Sequence, residues 1–139
     1  MKLLFILLFA GFAYSQTDLP DRGSLKDIQG KTKFYVDADE PARKSIIKAL
    51  TDKSSSFVVA DKPAEAEFFV FYKILSRDEV VREPAPGFIE KGQLDVYIFR
   101  DSKKTIVWST SGYGSGMRPD TPLSLAKNFV KAVKDDLKK

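Results

Sequence analysis

Nine consecutive residues, Glu67 to Leu75, read Glu-Phe-Phe-Val-Phe-Tyr-Lys-Ile-Leu. Large apolar side chains occupy both parities of this run. A strand presents alternate residues to opposite faces, so apolar residues on both parities predict a central strand covered on both sides. The rest of the chain has to supply those covers and the neighbouring strands.

Neighbouring strands are legible from alternation. Lys33 to Asp37, Phe57 to Ala60, Gln93 to Arg100 and Thr105 to Thr110 each read as strands. Asp101-Ser102-Lys103-Lys104 reads as a hairpin turn between the last two. The covers are two amphipathic helices. Asp37-Ala38-Asp39-Glu40-Pro41 places acids and a proline at a helix start, suiting the helix dipole and the missing proline donor. Ala42, Ile46, Ala49 and Leu50 then form one apolar stripe, and the helix is expected to run to about Asp52. Thr121 caps and Pro122 opens a last helix to about Lys138, whose stripe is Leu125, Ala126, Phe129, Val130, Val133 and Leu137.

The predicted order is β-α-β-β-β-β-α. This is an α+β two-layer sandwich, with a mostly antiparallel five-stranded sheet and two helices on one face. Residues 33–139 form its single domain. Residues 16–32 are polar and turn-rich and read as a poorly ordered lead-in. Ser76 to Gly92 reads as a seventeen-residue connection holding Pro84, Pro86 and Gly87. Loops of that length are usually functional. Ser111 to Asp120 reads as a glycine-rich loop.

The amino terminus is an address. Lys2 is followed by an apolar run from Leu3 to Ala13, and Ala13 and Ser15 place small residues before a cut at Gln16. Residues 1–15 therefore read as a secretory signal peptide, about half the length of a membrane-spanning helix. The expected location is the periplasm or the medium, with membrane contact only during export.

Composition limits the chemistry. The 139 residues include no Cys and no His. Thiol nucleophiles, disulfides, thiolate metal sites and His-based acid–base catalysis are excluded. No catalytic residue, cofactor or metal ligand set is expected. Two Ser-x-x-Lys matches, at Ser45 and Ser124, lie in amphipathic helices without the companion motifs of penicillin-recognising enzymes. Asp37, Asp39 and Glu40 lack the glycine turn and distal glutamate of a calcium loop and read as helix-start charge. The net charge is +4, and residues 102–139 carry eight basic against three acidic side chains. Lys127, Lys131, Lys134 and Lys138 share one face of the last helix. That face could meet anionic glycan or lipid; export argues against nucleic acid.

Two binding surfaces emerge. Tyr35, Tyr97 and Phe99 oppose the core parity of their strands, and Phe69 and Phe71 join them from the central strand. With helices on one sheet face only, these rings would face water and mark a contact surface for an envelope protein or a second copy. Phe88, in the 76–92 loop, belongs to the same expected site. The competing arrangement has that loop, through Val80, Val81, Phe88 and Ile89, covering the face. The alternative site is an anion-binding loop of Gly114, Gly116 and Arg118 near the start of the last helix.

Three segments carry a resemblance: Ala42 to Leu50 with Phe57-Val58-Val59; Pro63-Ala64-Glu65-Ala66-Glu67-Phe68-Phe69-Val70; and Gly92 to Asp101 leading into Ile106-Val107-Trp108. The pattern, across residues 33–139, resembles small exported bacterial proteins of unknown function. It is more distantly similar to periplasmic domains of the TolB amino-terminal and LpoB type. The resemblance implies binding of protein partners in the envelope and no catalytic residue. Such proteins often carry a lipid anchor on a Cys, which this chain lacks.

Overall fold

The structure, a computed structural model, describes residues 21–53, 55–81 and 86–138. The signal-peptide reading at residues 1–15 lies outside the described residues. Among the described residues, six strands and two α-helices follow in order: β1 (Asp21–Arg22), β2 (Lys33–Asp37), α1 (Ala42–Leu50), β3 (Val58–Val59), β4 (Phe68–Val80), β5 (Gly87–Arg100), β6 (Lys103–Gly116) and α2 (Thr121–Leu137).

All six strands join one sheet in the order β1-β6-β5-β4-β2-β3. The fold is α+β, as the pattern predicts, but the sheet has six strands and is mixed. The β4-β5 and β5-β6 pairs are antiparallel, whereas β1-β6, β2-β3 and β2-β4 are parallel. The added strand is β1, inside the segment expected to be a poorly ordered lead-in. Asp21 and Arg22 pair with Thr105 and Ile106. A 3₁₀ turn at Leu25–Ile28 follows and buries Ile28 in the core. Two residues of strand are too few to leave an alternating pattern in sequence.

The core lies between the helices and one sheet face. Phe34, Val36, Phe68, Val70, Leu94 and Val96 line the sheet side, and Ile46, Leu50, Leu125 and Phe129 come from the helices. Phe129 is fully buried, with its ring 5.9 Å from Phe57, 6.1 Å from Phe68 and 5.5 Å from Trp108. Both helical stripes read from the sequence therefore face inward, except at Leu137, which is 64% exposed at the end of the last helix. At the start of α2, Asp120 takes the capping position and Thr121 is the first helical residue, so the helix begins one residue earlier than expected. The Thr121 side chain is buried against Gly114, where a Cβ would overlap its hydroxyl.

The β5-β6 turn has φ of +55° at Asp101 and +64° at Ser102, the pair of positive values that two-residue hairpins use to match strand twist. A bulge between Val96 and Tyr97 places Val107 as the extra residue of β6, and another lies between Ile74 and Ser76 of β4.

The expected connection at 76–92 is strand from both ends. Ser76 pairs with Lys91, Arg77 with Glu90, Asp78 with Ile89, Glu79 with Phe88 and Val80 with Gly87. The expected glycine loop is likewise the end of β6, with Ser111 to Gly116 paired to Gln93 to Phe88. Fourteen residues of β5 span about 45 Å at the usual strand rise, whereas the seventeen residues of α2 span about 25 Å. The strands outrun the helices and form a three-stranded arm of residues 74–80, 87–92 and 111–116. Its β4 segment is exposed almost throughout.

Candidate functional site: the open sheet face and the arm

Register arranges the aromatic residues. Tyr35 pairs with Phe69, Phe69 with Tyr97 and Tyr97 with Ile106, which makes one row across four strands on the face away from the helices. Phe69 and Tyr97 stack with centroids 5.2 Å apart, and Phe99 meets both edge-on at 5.3 and 5.7 Å. Tyr35 meets Phe69 edge-on at 6.4 Å. Offset-stacked and edge-to-face pairs are the geometries that aromatic quadrupoles favour. The sequence-predicted Tyr35, Phe69, Tyr97 and Phe99 thus form one cluster.

The cluster shields itself. Phe69 is 9% exposed and Tyr97 6%, although among the described residues no helix lies over them, while Phe99 at the rim is 57% exposed. The Lys104 ammonium sits 4.2 Å from the Tyr97 centroid and 5.5 Å from Phe71, and the Arg43 guanidinium lies 5.8 Å from the Tyr35 centroid. Cations over ring faces are attracted electrostatically. Burial, and then the adjacent Asp37 carboxylate, push the Tyr97 phenol up to about 12. The same face holds a buried carboxylate, Asp95, which accepts hydrogen bonds from Gln93 Nε2 at 3.1 Å and from the Ser109 hydroxyl.

Phe88 is not part of this group. Alternation along β5 runs unbroken, so Phe88, Glu90, Gly92, Leu94, Val96 and Ile98 all side with the helices. The Arg77 guanidinium lies 4.4 Å over the Phe88 ring there. Nor do the described residues of 76–92 fold back over the aromatic face: Ser76 to Val80 and Gly87 to Gly92 pair in the sheet, and Val81 is 89% exposed.

Among the described residues, the arm and its end hold five of the nine large exposed hydrophobic side chains. Ile74, Leu75, Ile89, Tyr113 and Met117 are exposed on it or at its end. Lys91 lies 5.5 Å from the Tyr113 centroid. Sequence reading missed this surface because Arg77, Asp78 and Glu79, with the Pro84–Gly87 stretch, read as a loop.

At the root of the arm, on its helix side, lies a cleft of about 240 Å³. Its lining includes Ser45, Tyr72, Arg77, Glu90, Arg118 and Asp120, at the amino-terminal ends of both helices. The Tyr72 hydroxyl donates to Glu90 Oε1 at 2.9 Å. Burial, and then Glu90, raise the Tyr72 phenol well above its ordinary value. The structure parts the predicted anion-binding trio. Arg118 lines this cleft, Gly114 packs on Thr121, and Gly116, with φ of +126°, lies at the end of β6. Along α2, Lys127, Lys131 and Lys138 face solvent.

No protein-family model and no curated protein matches this chain. Several solved structures are similar in shape. One is a hypothetical protein from Chlamydia trachomatis, 13% identical, at a TM-score of 0.45 over 78% of this chain and 96% of the other. A lipoprotein from Neisseria meningitidis is 9% identical, at a TM-score of 0.42 over 77% of this chain and 98% of the other. A dodecameric PelC variant from Paraburkholderia phytofirmans is 15% identical, at a TM-score of 0.46 over 75% of this chain and 85% of the other. Likenesses at this level carry no argument about what the chain does. They do not show the distant similarity to TolB amino-terminal and LpoB-type domains.

Proposed function

We propose that this chain is an exported, non-enzymatic envelope protein that associates with a protein partner or with itself through the arm and the rim of the open sheet face. Export rests on the pattern of Lys2 to Ser15, and the non-enzymatic reading rests on a composition without His or Cys. The association reading rests on one observation: the three-stranded arm carries exposed Ile74, Leu75, Ile89, Tyr113 and Met117. Exposed apolar surface gathered on one element marks contact surfaces in soluble proteins.

The testing variant is Leu75→Ser with Ile89→Ser and Phe99→Ser. Light scattering and capture from envelope extract would be compared with wild type, together with denaturant melts. The expected result is lost association with a fold that still melts cooperatively and loses only about 1–2 kcal/mol, mostly from Phe99. Undiminished association, or a wild type that neither self-associates nor captures anything, would refute the reading.

A second reading is a small anionic ligand in the cleft, favoured by Arg77 and Arg118 beside two helix starts. Glu90 and Asp120 in the same cleft offset those charges and place it second. A phosphate-induced melting shift abolished by Arg118→Ala would support it.

A further inference from the structure

Among the described residues, the outer edge of β6 is free for most of its length. β1 pairs with Thr105 and Ile106, and the Gly23 N–H donates to the Ile106 carbonyl at 2.8 Å; beyond that point no described strand pairs with the outer edge. Ten residues, Val107 to Gly116, therefore present an unpaired row of backbone donors and acceptors.

Free edges of such length usually carry charges or proline that block pairing with another chain. This one carries neither. Thr105 to Met117 is a run of thirteen residues without a charged side chain, in a protein that is 30% charged. The other free edge contrasts with it. β4 pairs with β2 only as far as Phe71, and the strand beyond carries Lys73, Arg77, Asp78 and Glu79. The fold guards one edge and leaves the other open.

We propose that the β6 edge is a homodimer interface, in which Val107–Gly116 of two copies pair antiparallel about a two-fold axis near Ser111. This deepens the association reading by naming a second copy as the partner. Two features favour that occupant. Recognition here is by backbone, since the strand offers no charge to select a foreign sequence. A two-fold axis also sets each residue against one from the same strand, so an uncharged strand meets no like charge and each copy brings the free edge the other needs. The product is one continuous sheet with both aromatic faces on the same side.

Ser111 is exposed and lies on the open face, so a change there leaves the core intact. Ser111→Lys and Ser111→Glu would each set like charges close together across the axis. Each alone should weaken dimerisation by about tenfold or more in sedimentation equilibrium, while an equimolar mixture restores a heterodimer. Because the chain has no Cys, Ser111→Cys provides a geometric test. Opposed residues in an antiparallel pair lie about 4.5–5.5 Å apart at Cα, within disulfide reach. Mild oxidation should give a covalent dimer quickly, and Lys127→Cys on the exposed face of α2 should not.

A wild type monomeric throughout the concentration series would overturn the proposal. So would a dimer indifferent to both charges at Ser111. A dimer lost in the Leu75, Ile89, Phe99 triple variant but kept in the Ser111 variants would place self-association on the apolar surface instead. Capture of a different envelope protein by a chain that never dimerises would sink the edge proposal alone and leave the association reading standing.

Discussion

The Tyr72 hydroxyl donates to Glu90 Oε1 at 2.9 Å, and the Tyr72 ring lies directly over the Cα of Gly92. Glu90 is 5% exposed, so this bond partners a carboxylate largely withdrawn from water at the root of the arm. Gly92 pairs with Ile74, and a Cβ at Gly92 would enter the Tyr72 ring. Ala at this position forces the ring aside and strains its bond to Glu90. Gly92→Ala is expected to cost about 1–3 kcal/mol, the usual range for overpacking. Tyr72→Phe, which keeps the ring and removes the donor, should cost about 1–3 kcal/mol. Denaturant melts read both, and a neutral Gly92→Ala would mean that the ring does not pack there.

Phe129 sits at the centre of the core, fully buried among Phe57, Phe68 and Trp108. Phe129→Ala should cost about 3–5 kcal/mol through lost burial and the cavity it leaves. Lys131, two residues on and exposed, should cost under about 0.5 kcal/mol as Ala. Similar losses at the two positions would contradict the orientation of α2.

The open-face aromatics separate into a buried and an exposed member. Tyr97→Ser removes a ring stacked on Phe69 and should destabilise by about 2–4 kcal/mol. Phe99→Ser removes a rim ring with two edge contacts and should cost about 1 kcal/mol. Chemical melts of the two single variants decide whether the cluster is a packed layer with one exposed rim.

Two carboxylates contribute to the acid dependence of stability. Asp27 accepts from the Ser24 N–H at 2.8 Å and pairs with Arg100 at 2.7 Å; the backbone bond first, and then Arg100, hold it below the ordinary 3.8. Glu67 accepts from the Thr32 and Lys33 N–H groups at 3.1 and 3.2 Å, which hold it below the ordinary 4.5. A lowered folded pKa means the unfolded chain binds the proton more tightly. The stabilisation is therefore complete above the unfolded values and disappears as pH falls through the folded ones. Stability measured from pH 7 downward should fall below about pH 4.5, near the unfolded glutamate value. The difference between wild type and Asp27→Asn should shrink toward zero at the acid end. A difference that stays constant with pH would exclude Asp27 as a source.

At the alkaline end, Tyr97 keeps its proton to about 12 because burial and Asp37 oppose the phenolate. Its folded pKa exceeds the unfolded value, so its contribution holds below about pH 10 and is lost as pH rises through the folded value. Phenolate absorbance should show two late-titrating groups, Tyr72 and Tyr97; the earlier of the two disappears in Tyr97→Phe and shifts to lower pH in Asp37→Asn.

Both helices, and the strands bordering the core, were legible in the sequence because one-sided burial leaves a period. The stripe through Leu125, Ala126, Phe129 and Val130 repeats at helical spacing, and Leu94, Val96 and Ile98 alternate at strand spacing. The class of chemistry was legible for a simpler reason: a chain without His or Cys lacks those side chains wherever it folds. Period vanishes where an element is wet on both sides. Arg77, Asp78 and Glu79 continue β4 into solvent with no buried face to record, so the arm read as a loop. Phe88 was grouped with the wrong face because, without knowing that β5 already runs as strand from Gly87, its parity could not be counted against Tyr97. β1 exists because Thr105 and Ile106 offer an edge, which is a property of the assembled sheet and not of Asp21 and Arg22. The partnership of Tyr72, Glu90 and Gly92 is likewise tertiary: residues eighteen and twenty apart in sequence become neighbours only when β4 and β5 pair in register. Local propensity acts over a few residues, whereas register is set by the whole sheet closing on its core, and that closure decides which faces meet.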